Sequence, residues 1–290
     1  MIDTSMEKIS RIYKENSVIV IVTYNPGSNL KVALERYQAL AKRVIIVDNG
    51  STNFPELKGT EIDIVSSKVN KGIAWGLNEG IRKALPYTPE WIISFDQDSI
   101  PAWNIWDIYN DTLSQYHGSK PIGLMCGSFG LKSDTASLPA KWDESLILIT
   151  SGMAHHVSVF DKVGLYNEEM FIDNVDFEYV MRTQLAGFAT LHIQNDVIHH
   201  TIGTPLVRKF GPFLIESSNH DAFRRYYQGR NLIYLTRRFF FHFPIQLLNL
   251  NYYFFCKILP RMLYVERPLR PKLKALLKGF KDGFKSLTPS

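Results

Sequence analysis

The chain runs to 290 residues, 45% apolar and 21% charged, the balance of an ordinary globular protein with one large domain, or one domain and an appendage. Its two cysteines, Cys126 and Cys256, lie far apart without metal-ligand spacing, which excludes a disulfide framework and suits a reducing cytoplasm. The net charge of +5 is uneven: from Arg224 onward 14 basic residues face only Glu266 and Asp282, while the preceding part is net −7, so the C-terminal part is expected to meet an anionic surface.

Val18–Val22 is too short and too late, behind acidic residues, for a signal-peptide core, and reads as a strand instead. Leu30–Leu40 has helical spacing, Val44–Val47 and Ile62–Ser66 read as strands, Ile73–Leu85 as a helix stopping before Pro86, and Trp91–Phe95 as a strand. This alternation predicts an α/β fold, a mostly parallel sheet covered by helices. Ligands gather at the C-terminal strand ends of such sheets. Polar segments sit at those ends: Thr23-Tyr24-Asn25, Asp48-Asn49-Gly50-Ser51 and Asp96-Gln97-Asp98. The last is the sharpest case, because a core strand that delivers two carboxylates must supply them with a cation, a hydrogen-bond cage or water.

Further on, Asp173, Asp176 and Glu178 cluster at a predicted helix start, and that helix ends near Gly187. Favourable placement against the helix dipole is one account of these acids. His199 and His200 point to opposite sides of a strand, so at most one faces a given ligand. Phe239–Leu259 is rich in Phe, Tyr and Leu, but His242, Pro244, Asn249, Asn251 and Lys257 break it, which makes a poor transmembrane helix. From Leu273, the residues Leu276, Leu277, Phe280, Phe284 and Leu287 recur at helical spacing, with Lys274, Lys278, Lys281 and Lys285 off that face. Such a basic amphipathic helix suits an anionic membrane; packing on the protein's own body or on a dimer partner is the alternative. No nucleic-acid module accompanies the charge, so nucleic acid is not expected.

The segments VIVTYN, IIVDNGS, NKGIAWGLNEGI, ISFDQDS and FIDNVDFEY, in that order, resemble family 2 inverting glycosyltransferases of the GT-A fold, and within them the bacterial rhamnosyltransferase branch; the match covers residues 17 to 235. The resemblance implies a GT-A catalytic domain over 1–235, while charge and apolar spacing make 236–290 a helical, basic tail that associates with membrane or with another subunit, a homo-oligomer among the options. Asp96 and Asp98 resemble the family's DxD element. A nucleotide-sugar's diphosphate needs a divalent cation, Mg²⁺ or Mn²⁺, and in an extended segment both carboxylates would point to it. By analogy Asp98 is the metal ligand, Asp96 orients sugar or ribose, and His200 completes the metal shell.

The same resemblance implies that Asp48 binds the pyrimidine, that Thr23 and Asn25 line the nucleotide pocket, and that the nucleotide lies over Asn70, Gly72 and Asn78. Ser151-Gly152 resembles an acceptor-side turn. Asp176 would be the general base that takes the proton of the attacking hydroxyl, with Glu178 as helper and Asp173 as the runner-up base. Arg230 and Asn231 would bind a phosphate. The implied activity is inverting transfer of L-rhamnose from dTDP-β-L-rhamnose to a polyprenyl-diphosphate-linked saccharide, for cell-surface polysaccharide, at the cytoplasmic membrane face. A UDP-hexose or UDP-galactofuranose donor, or a non-catalytic assembly subunit, is the alternative.

Overall fold

The apolar run Ser17–Thr23 is strand β1, buried at every residue, and the periodic segment Asn29–Leu40 is helix α1, which lays Leu30, Ala33, Leu34, Tyr37 and Leu40 on the core. The computed structural model describes residues 10–57, 61–200 and 206–285. Along the chain follow β2 (Arg43–Asp48), β3 (Ile62–Ser66), α2 (Ile73–Ala84), β4 (Trp91–Asp96), β5 (Ser99–Pro101), α3 (Ile105–Gln115), β6 (Ile122–Phe129), β7 (Trp142–Glu144), β8 (Met153–His156), α4 (Ser158–Val163), α5 (Val175–Leu185) and β9 (Ala189–His200). Helix α2 stops at Ala84 and tightens into a 3-10 turn, Leu85–Tyr87, because Pro86 has no N–H to continue the ladder.

Contacts divide the chain into two units, Met1–Tyr166 with Tyr179–Thr201, and Asn167–Glu178 with Ile202–Ser290. Among the described residues the first unit holds a nine-stranded sheet in the order β3-β2-β1-β4-β8-β6-β9-β5, with β7 also on β9. The half β3-β2-β1-β4 is parallel, but the rest is mixed: β8 runs antiparallel to both β4 and β6, and β5 and β7 run antiparallel to β9. A mostly parallel sheet was the expectation. A parallel neighbour needs a long, usually helical crossover, and the segment 145–152 leading into β8 contains no helix. Ile19, Ile21, Val44, Ile46, Trp91 and Ile93 of the parallel half join Tyr37 of α1 and Ile105 and Tyr109 of α3 in one core. Each such side chain contributes about 1.5–3 kcal/mol on burial.

The second unit contains the hairpin β10 (Leu206–Phe210) and β11 (Phe213–Ser217), then α6 (Ala222–Phe239), α7 (Pro244–Tyr253), a π-helical turn Phe254–Ile258, α8 (Leu259–Val265) and α9 (Leu269–Asp282). Residue 235, the expected domain boundary, lies inside α6. The stripe expected to meet a membrane is partly spent within the unit, although Leu277 and Phe284 stay exposed and Leu287 lies outside the described residues. Leu276 is buried in a cluster with Leu232, Phe254 and Met262, and Leu273 and Phe280 pack against it. Helices α6 and α9 approach backbone to backbone: a Cβ on Gly279 would lie 2.2 Å from the Tyr226 carbonyl oxygen, and one on Gly229 2.8 Å from that of Leu276. Amphipathic spacing reports that a face is covered, not what covers it; here α6 does. A buried ion trio pins the arrangement, with Glu266 held by Arg225 and by Lys272 at 2.9 Å.

Candidate functional site

Parallel register puts the polar strand ends in one row. Thr23 pairs with Asp48, Asp48 with Ser66, and Val22 with Asp96, so β3, β2, β1 and β4 stop together at one rim. Asp48 is 6% exposed, and its Oδ1 accepts the Ser51 N–H at 3.1 Å. Thr23 is fully buried, and its hydroxyl donates to the Val47 carbonyl at 3.3 Å. Asn25 sits in the left-handed region at φ 48°; its Oδ1 accepts both the Thr52 N–H (2.9 Å) and hydroxyl (3.0 Å).

The loop before α2 is fastened to this rim by Asn49. Its Oδ1 accepts the Lys71 N–H at 2.9 Å, while Nδ2 donates to the Gly72 carbonyl at 3.0 Å and to Asn70 Oδ1 at 3.2 Å. Asn70 Oδ1 also accepts the Gly72 N–H at 2.9 Å, which shapes the N-terminus of α2, where early backbone N–H groups lack helical partners. Gly50 has φ 86°, and a Cβ there would lie 2.4 Å from the Val69 carbonyl carbon, so the turn admits only glycine. Asn78 does not reach this rim chemistry. It is fully buried, its Nδ2 donating to the Tyr166 carbonyl and its Oδ1 accepting the Tyr166 N–H, both at 2.9 Å. Those bonds give it a structural task in place of the expected nucleotide contact.

The DxD segment is not extended throughout. Asp96 ends β4, and Gln97-Asp98 forms a turn into β5, so the i, i+2 alternation does not govern where the two carboxylates point. Both half-buried carboxylates act on the same buried phenol: Tyr37 is held well above its ordinary pKa, first by burial and then by the charges of Asp96 and Asp98. Tyr37 donates its hydroxyl to the Ser99 carbonyl. Beneath the turn, the Asp96 N–H donates to Ser151 Oγ at 3.2 Å, and that hydroxyl donates to Ser99 Oγ at 2.7 Å. Gln97 spans to the loop after β1, accepting the Tyr24 N–H at 2.8 Å and donating to its carbonyl at 3.3 Å. Ser151-Gly152, expected on the acceptor side, thus supports the DxD turn from below, with the Gly152 N–H on the Ser94 carbonyl at 2.7 Å.

The pair Asp96 and Asp98 suits a hard divalent cation, since carboxylate oxygen is what Mg²⁺ and Mn²⁺ prefer. Among the described residues no group of three or more His, Cys, Asp or Glu forms a metal cage. Two protein carboxylates with remaining positions open to diphosphate oxygen and water is the way Mg²⁺ is usually held. The backbone of His200 pairs with Ser99 beside the turn, while the His200 side chain lies outside the described residues. His199 instead bonds the Leu131 carbonyl through Nδ1 at 3.2 Å.

The acidic cluster belongs to the second unit. Phe171, Asp173 and Asn174 all have positive φ (60°, 63° and 61°), a density of left-handed non-glycine residues that costs about 1–3 kcal/mol each and marks an over-determined loop. Helix α6 supplies the determinants. Asn231, fully buried, donates from Nδ2 to the carbonyls of Met170 (2.9 Å), Ile172 (2.8 Å) and Asp173 (2.8 Å). Arg230 holds the Asn231 Oδ1 at 3.0 and 2.9 Å, reaches the Glu169 carbonyl, and lies 4.6 Å over the Tyr227 ring, which stacks on Phe171. Asp173 is bound by Arg224. Asp176 and Glu178 fall in the first turn of α5, Asp176 half-exposed and Glu178 buried.

Arg230 and Asn231 were therefore expected on a phosphate, and they hold the loop of the acidic cluster instead. Sequence reasoning did not single out Asn49, Gln97 or Arg224. The first two lie within recognised motifs, between residues already chosen, and that adjacency was the available signal; Arg224 carries none, because its partner lies 51 residues away.

The profile of glycosyl transferase family 2 matches residues 18–104. The chain is 33% identical over 248 residues to a dTDP-rhamnosyl transferase, RfbF, of Shigella flexneri, with 77% of this chain and 80% of that protein aligned. Among solved structures it resembles a mannosyltransferase from Pyrobaculum calidifontis determined with GDP-Man and Mn²⁺ (TM-score 0.57, 14% identity, 96% of this chain and 79% of that one). It also resembles S. aureus TarS 1-349 determined with UDP (TM-score 0.52, 12% identity, 93% and 81%). At these identities the two structures speak for the GT-A fold alone.

Proposed function

Because this chain belongs to glycosyl transferase family 2, we propose that it moves an L-rhamnosyl group from dTDP-β-L-rhamnose to a saccharide hydroxyl, inverting the anomeric carbon. The observation that carries the donor assignment is the 33% identity, over 77% of the chain, to a dTDP-rhamnosyl transferase. The rim supports it. Asp48 offers an acceptor to a pyrimidine N–H, Thr23 and Asn25 border it, and Asn70 and Gly72 give the nucleotide a backbone surface at the start of α2.

Asp98 would hold a divalent cation with help from Asp96, and His200 is the third candidate donor. The cation, when bound, offsets charge on the diphosphate leaving group. In the transfer, an acceptor oxygen bonds to the anomeric carbon, the bond from that carbon to the diphosphate oxygen breaks, dTDP departs with the electron pair, and the acceptor proton passes to Asp176. Asp176 accepts the Phe177 N–H at 3.0 Å and lies half-exposed in the first turn of α5. Glu178 is buried in the same turn, and Asp173 is engaged by Arg224, so the base is assigned to Asp176. The acceptor we assign is a polyprenyl-diphosphate-linked saccharide, with the enzyme peripheral on the inner membrane face, in keeping with the basic C-terminal part.

The test is turnover with a set of nucleotide-sugars on a lipid-linked acceptor, with and without chelator. Asp98→Ala should weaken cation-dependent donor binding. Asp176→Asn should keep donor binding and lower turnover by about 10²–10⁴. Turnover confined to a UDP-hexose would overturn the rhamnose assignment, and donor binding without turnover would make the protein an assembly subunit.

A further inference from the structure

We propose that the protein settles on anionic bilayers through the outer face of α7 and the turn after it, and not through α9. Ile245, Leu248 and Tyr252 are 68, 58 and 61% exposed, and Phe255, 42% exposed, borders them while packing on Phe280. The first three follow at i, i+3 and i+7, one stripe of α7. The opposite side of α7 is anchored: Leu247 is buried, Asn251 donates to Thr236 Oγ at 2.8 Å, and Phe254 joins the α6–α9 cluster. The apolar stripe is therefore held outward by design of the inner face, and no helix of the described residues is long and apolar enough to cross a membrane.

Charge selects the occupant. No Asp or Glu occurs between Phe239 and Val265, while Lys257 and Arg261 stand exposed along the same segment. Nearby acids are already engaged, Glu266 by Arg225 and Lys272, and Asp282 by Lys278 and Lys285. A second copy meeting this face would bring cation against cation. Anionic headgroups answer the positive charge of the segment, and an exposed Tyr252 beside Leu248 and Ile245 suits the bilayer interface, where aromatic rings find their preferred depth.

The inference rests on the proposed lipid-linked acceptor for its purpose, but its test needs neither donor nor acceptor. Full-length protein should float with phosphatidylglycerol-containing vesicles at low salt and not with phosphatidylcholine alone. Ile245→Glu with Leu248→Glu should lower the partition coefficient by at least about tenfold with an unchanged melting temperature, whereas Leu277→Glu on α9 should leave it unchanged. Cys256 is exposed and Cys126 buried, so an environment-sensitive fluorophore on Cys256 should shift to the blue on those vesicles. Flotation without that shift, or flotation lost by the α9 variant, would move the contact elsewhere. A wild-type dimer that Leu248→Glu splits would overturn the proposal in favour of a second copy. Vesicle binding that persists in a protein inactive on every donor would sink the functional reading and leave this one standing.

Discussion

Arg224 binds the carboxylate of Asp173 in a fork: Nε lies 3.2 and 3.1 Å from Oδ1 and Oδ2, and Nη2 lies 3.0 Å from Oδ1. With both oxygens held by Arg224, the Asp173 carboxylate is aimed at α6 and the loop it fastens, and not at an acceptor hydroxyl. Asp173→Asn is expected to keep turnover within about tenfold of wild type, against a loss of about 10²–10⁴ for Asp176→Asn. Steady-state rates of the two variants at saturating donor decide it, and the reverse order would make Asp173 the base.

Gly50→Ala tests the nucleotide rim. The new methyl would lie 2.4 Å from Val69 and 2.6 Å from the Asn70 backbone N, at φ 86°. The strain, about 1–3 kcal/mol, should displace the loop that Asn49 fastens. Calorimetric titration with dTDP should show affinity lowered by about tenfold or more, while turnover at saturating donor falls less. Unchanged affinity would mean that the loop does not carry the nucleotide.

His155 predicts an acid limb of stability. Both ring nitrogens are engaged, Nδ1 with the Ile92 carbonyl (2.9 Å) and Nε2 with the Tyr166 hydroxyl (2.6 Å); a carbonyl only accepts, so Nδ1 carries the proton. Burial lowers its pKa to about 4 from 6.5. The folded state thus prefers neutral imidazole, and the stabilisation is complete above pH 6.5 and lost as pH falls toward 4. The loss amounts to about 3 kcal/mol. Denaturant melts across that window should show it, and His155→Gln should flatten the curve.

Glu266→Gln would leave Arg225 and Lys272 as buried cations facing a neutral amide. Removing one member of such a group costs about 3–5 kcal/mol, so the melting temperature of the second unit should drop sharply. Adding Lys272→Met should recover part of the loss. A Glu266→Gln protein that melts normally would show that water reaches the trio.

The parallel half of the sheet was legible because Val18–Val22, Val44–Val47 and Trp91–Phe95 are short apolar runs, each ending in acid, amide or hydroxyl residues. Strand β8 escaped notice: its Met-Ala-His-His has neither alternation nor β-branching, and it is a strand because β4 and β6 flank it. The DxD turn was misread as extended because residue spacing says nothing of where a chain bends. Arg230 and Asn231 read as phosphate ligands because arginine and asparagine advertise their donors, while the carbonyls they serve, 58 to 61 residues upstream for Asn231, are invisible in the letters.

Asn231 holding three carbonyls of the segment 170–173 also sets an order of events during synthesis. When the ribosome has released residue 201, all the strands of the nine-stranded sheet have been made, yet the acidic segment still lacks the amide and guanidinium groups that bend it. Those groups arrive with Arg224, Arg230 and Asn231. Under the roles proposed above, the parts assigned to donor recognition are made first, and the segment carrying the proposed base gains its partners only after α6 emerges. On that reading, donor recognition and proton removal would mature at different lengths of the growing chain.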